Sequence, residues 1–95
     1  MSDIKRDKEF WELADSFISL ANTHLGEHKP SRVSATALFA AARFNAFVIT
    51  EATESKEQLI AEKEEAVAYF LEQYEAMLRE NIDEHLTRYD KKMDS

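Results

Sequence analysis

Cysteine is absent from the 95 residues. Its absence excludes disulfides, thiol nucleophiles, thiolate zinc sites and iron–sulfur clusters. Glycine and proline occur once each, where an average chain of this length carries about ten of the two together. A hairpin-rich β fold needs such residues at every turn, so the composition disfavours one. A single glycine also leaves no glycine-rich loop to cradle a phosphate. The opening stretch, Met1 to Lys8, is charged and lacks the apolar run of a signal peptide, which predicts a cytoplasmic protein. The longest near-apolar stretch, residues 33–49, is short for a bilayer span. It carries Arg43 and Asn45 near its middle, so no membrane partner is expected.

What is present fits one soluble helical domain over residues 1–95: 44% hydrophobic and 33% charged residues. The net charge of −7 sits in the second half. Residues 1–50 balance six acids with six bases, and residues 51–95 set 13 acids against 6 bases. An acidic surface does not condense on phosphate backbones, so no nucleic-acid partner is expected.

Gly26 and Pro30 bracket one loop, and no other breaker follows. Before the loop, Phe10, Leu13, Phe17, Leu20 and Ala21 recur at helical spacing, predicting a helix over roughly 7–25 with Gly26 as a left-handed C-cap. After it, Ser31 or Ser34 can cap a second helix over roughly 33–51, and Val33 can staple to Leu38. That helix is apolar almost all round and is expected to be the most buried. Ser55 with Gln58 matches a capping box and opens a third helix over roughly 55–90, with 91–95 frayed. The expected fold is all-α, an antiparallel three-helix domain with a long C-terminal helix. Glu75–Arg79 and Glu84–Arg88 are pairs four apart with the acid first, the favourable order.

The third helix outruns the second. Its overhang still carries Met77, Leu78, Ile82, Leu86 and Tyr89, which a monomer would expose. Pairing with a second copy in a homodimer, through these five residues, solves that problem. The alternative is a break at Asn81, where Asn81 and Glu84 can form a fresh capping box and let a fourth helix fold back. No glycine or proline marks such a break, so the dimer is preferred.

Chemistry-bearing residues are few. His24 and His28 are four apart, a metal-ligand spacing on one helix face, but a left-handed Gly26 between them would spoil it. His85 neighbours Asp83 and Glu84 without a Glu-x-x-His pair. No metal or cofactor is expected. Arg43 sits in the most apolar helix, where an unpaired buried charge is costly. An antiparallel arrangement brings Asp15 and Glu64 level with it. The first reading is a structural ion pair that fixes register; the alternative is a crevice around Arg43, Asp15 and Asn45 that holds an anion or serves an enzyme. Asn45 points to another side of its helix and has no acid, base or nucleophile beside it. No catalytic residue is therefore assigned. Phe10 and Trp11 lie at the edge of a wide stripe, Phe10 as core and Trp11 half wet.

Phe10-Trp11, Ala14-Asp15, Phe17-Ile18 and Leu20-Ala21-Asn22, together with Arg32-Val33-Ser34 and the run Ala40 to Phe47, carry a resemblance. Over roughly Phe10 to Ile82 the chain resembles a family of small proteobacterial proteins, the domain-of-unknown-function family numbered three-one-four-four. The resemblance implies a bacterial, compact helical protein and supplies no substrate, cofactor or catalytic residue. The reading favoured by the residues is a non-catalytic homodimeric protein-interaction module, small and acidic.

Overall fold

The computed structural model describes residues 5–94, with side chains through Lys91. They form three helices, α1 (Lys8–Leu25), α2 (Pro30–Glu51) and α3 (Lys56–Asp94), and no strand among the described residues.

α1 starts where Asp7, in extended backbone, accepts a hydrogen bond on Oδ1 from the Phe10 N–H at 3.0 Å. An Asp there satisfies one of the donors that a helix start leaves open. The end differs from expectation. Gly26 has φ −65° and ψ −23°, right-handed rather than left-handed. Its N–H bonds the Thr23 carbonyl at 3.2 Å, and Glu27 and His28 N–H both reach the His24 carbonyl, at 3.1 and 3.0 Å. The helix thus runs out through tight turns that occupy its last carbonyls, and no positive-φ cap is needed.

α2 begins three residues before the expected start at 33. Pro30 is its first residue, and the Lys29 carbonyl accepts from Arg32 and Val33 N–H. Proline suits that place, because its φ is preset and the missing N–H would have no helical partner. Ser31 and Ser34 lie inside the helix and cap nothing, and the Val33–Leu38 staple falls with them.

α3 opens on the expected cap. The Gln58 N–H donates to Ser55 Oγ at 3.1 Å. The return bond is shifted by one residue: Gln58 Oε1 accepts from the Glu54 N–H at 2.8 Å. The helix then runs 39 residues without a break. The alternative of a break at Asn81 falls: its Nδ2 donates to the Met77 carbonyl at 2.8 Å within the continuous helix. The helix also continues four residues past the expected limit at 90, to Asp94. Ser95, part of the stretch expected to fray, lies outside the described residues.

Contacts divide the chain into two units, Met1–Phe47 and Val48–Ser95, with the boundary inside α2. In the first, Phe10, Ala14 and Ala21 share the half-buried face of α1, at spacings that keep them on one side of a helix. Val33 and Asn45 are half-buried on α2. In the second, Ile49, Leu59, Ala66, Tyr69 and Phe70 are among the half-buried residues. No described residue is fully buried. The expectation that α2 is the most buried helix is therefore corrected: Phe39 and Phe44 are each 64% exposed. An all-round apolar composition sets what a helix gains from cover, and does not by itself supply the cover.

Candidate functional site

The residues read as a dimer interface lie on the second half of α3. From Leu71 to Lys91 every side chain is exposed. The apolar positions Val67, Leu71, Tyr74, Leu78, Ile82 and Tyr89, with His85 among them, still follow one stripe. Val67, Leu78 and Tyr89 are 11 residues apart in turn, as are Leu71 and Ile82, and Tyr74 and His85. An 11-residue repeat advances about 3.67 residues per turn, so the stripe stays nearly parallel to the helix axis. A seven-residue seam would instead wrap leftward. Met77, Leu78, Ile82, Leu86 and Tyr89 are exposed between 39% and 66%.

Length sets a bound on what the chain itself can do with this stripe. α3 has 39 residues and α2 has 22, about 58 Å against about 33 Å at 1.5 Å per residue. Neither α2 nor the shorter α1 spans α3. The flanks of the stripe are held by local ion pairs, Glu75–Arg79 at 3.3 Å and Glu84–Arg88 at 2.7 Å, as the spacing predicted. All four side chains are more than half exposed, so each pair supports the helix by only a few tenths of a kcal/mol.

The second candidate, around Arg43, looks different from its sequence reading. Arg43 and Asp15 are both exposed and form no ion pair with each other. Glu64 is exposed on α3, and Asn45 is half-buried. The charge on Arg43 stands in water and needs no carboxylate to offset desolvation.

His24 and His28 are closer to one another than expected. The right-handed Gly26 keeps the backbone coiling, and the ring centroids lie 6.2 Å apart. Two imidazoles fall short of a metal centre, and among the described residues no group of three or more His, Asp or Glu comes together. At the start of α1, Phe10 packs edge-on against Trp11, centroids 5.1 Å apart, with the Arg6 guanidinium 5.8 Å from the indole. Phe10 is half-buried and Trp11 is 49% exposed.

The sequence reading missed how much apolar surface the first two helices present: Phe17 is 71% exposed on α1, and Phe39 and Phe44 stand out on α2. The signal was there, since between Val33 and Ile49 the polar residues of α2 are only Ser34, Thr36, Arg43 and Asn45. By length and composition α2 also passes for a membrane span, and Arg43 and Asn45 near its middle count against that.

No curated protein and no solved structure matches the chain. The family model described as "Protein of unknown function (DUF3144)" matches residues 10–86. That span takes in α1, α2 and most of α3, including the stripe as far as Leu86, and the chain accordingly belongs to the DUF3144 family.

Proposed function

We propose that the chain is a non-catalytic protein-interaction module of the cytoplasm that works as a homodimer paired through the second half of α3. The observation that carries this reading is the exposed stripe from Leu71 to Tyr89, on a helix longer than either of the others. Exposed apolar patches that continue in register along a helix mark association surfaces. A second copy supplies the same stripe over the same length, which is the condition for a two-fold contact. Among the described carboxylates of α3, all exposed, Glu75 and Glu84 pair with arginines four residues on and Glu62 accepts from Gln58 Nε2 at 3.2 Å. That pattern supports a helix and its solubility, and leaves an acidic face for a basic surface on another protein.

Light scattering in line with size-exclusion chromatography tests the dimer directly. The expected mass is twice 11.0 kDa. Ile82→Glu combined with Leu86→Glu should abolish it. A single-chain mass for the unmodified protein at tens of micromolar would end the reading, and an unchanged dimer in the variant would move the interface elsewhere.

A further inference from the structure

Two of the three histidines of the chain, His24 and His28, stand one turn apart at the end of α1. The right-handed Gly26 between them keeps the backbone coiling, and the His28 N–H reaches the His24 carbonyl at 3.0 Å, the bond of a regular helical turn. The rings follow the backbone: their centroids lie 6.2 Å apart, with planes inclined by 52°. We propose that His24 and His28 form a bidentate chelate for one divalent transition-metal ion of the zinc, nickel and copper class.

Imidazole binds these ions through one ring nitrogen, at about 2.0–2.1 Å for zinc. Residues four apart on a helix have Cβ atoms about 5–6 Å apart, a gap that two imidazoles can close around a single ion. An ion held by a nitrogen of each ring draws the rings slightly inward from their present separation. Both residues are exposed, so that movement meets no packing. Among the described residues no hydrogen bond or ion pair holds either imidazole elsewhere. A structural zinc centre takes four protein ligands, and no third His, Asp or Glu joins these two among the described residues. The other coordination positions therefore fall to water or to a ligand brought from outside. Magnesium and calcium, which select oxygen ligands, gain nothing from such a pair.

The place of the pair gives the ion a structural effect. His24 lies in the last turn of α1, and Pro30 opens α2 two residues after His28. An ion that spans both rings binds the coiled form of this connection in preference to an extended one, and so stabilises the exit of α1 by mass action. The coil is fixed by backbone bonds within residues 23–28. The chelate is therefore complete in one chain and does not rest on the homodimer reading.

The experiment uses the full chain, stripped of metal and titrated with zinc chloride. Imidazole signals are followed by NMR, and calorimetry gives stoichiometry and affinity. His85, exposed on α3, is the internal control. One zinc should bind per chain, with the signals of His24 and His28 moving together ahead of those of His85. His28→Gln should weaken binding on the order of a hundredfold, because the second ring no longer acts at high effective concentration. His28→Lys combined with Lys29→His keeps the composition but sets the rings five residues apart, and should bind no better than His28→Gln. Circular dichroism checks that both variants keep their helix content. Magnesium chloride should move no imidazole signal. Zinc that moves none of the three histidines, or all three alike, overturns the chelate. So does an affinity unchanged in both variants. One zinc per two chains, with a mass that doubles on adding zinc, assigns the ion to a bridge between chains and overturns it too.

Discussion

A methyl group on Gly26 would meet the Thr23 carbonyl oxygen at 3.3 Å, a close contact to which that oxygen must yield slightly, and no left-handed backbone stands in its way. Gly26→Ala should therefore change stability by less than about 1 kcal/mol, the freedom lost by the unfolded chain offsetting the close contact. Urea titration at fixed protein concentration measures it; a larger loss would mean that the Thr23 carbonyl, already bonded to the Gly26 N–H, does not yield. Arg43 yields a second expectation. Exposed and unpaired with Asp15, it should tolerate Arg43→Met. The effects of Arg43→Met and Asp15→Asn should add within about 0.5 kcal/mol in the double variant. A less-than-additive pair would restore the ion pair. Both residues show where the sequence misleads. Gly26 after a helix suggests a cap, but the choice between two turns is settled by which carbonyls the next N–H groups reach. Arg43 in an apolar run suggests burial, but burial is a property of what packs on the helix, and composition does not name it.

At the scale of the element, the sequence was readable wherever a local rule sufficed. Ser55 and Gln58 cap α3 as their spacing requires, and the two acid-first pairs form. The shifted partner of Gln58, the Glu54 N–H, is a detail of backbone path that spacing does not specify. Pro30 suggests a loop because proline breaks helices, yet at the first position of α2 the same properties start one. Ser55→Ala should cost about 1 kcal/mol, because it strips the acceptor from the Gln58 N–H. Thermal or urea unfolding checks this, and a neutral result would show that the Glu54–Gln58 bond alone holds the start of α3. The continuity of α3 through Asn81 was legible from the lack of a breaker. The long apolar stripe beyond it was legible from periodicity alone.

At the scale of the whole molecule, charge opposes what apolar area favours. Each chain carries −7, so two copies repel, and the repulsion is screened within a Debye length of about 10 Å at 0.1 M salt. Raising sodium chloride from low levels should tighten the proposed dimer, measured by sedimentation equilibrium. Weakening by salt would mean that ion pairs between copies outweigh net repulsion. The exposure of α1 has an optical consequence. Trp11 is the chain's sole tryptophan and stands half in water beside Phe10. Its emission colour and its quenching by acrylamide report on the first helix without any engineered label. If assembly covers α1, dilution through dissociation shifts the emission to the red and lets acrylamide in; if only the far half of α3 pairs, the indole registers nothing.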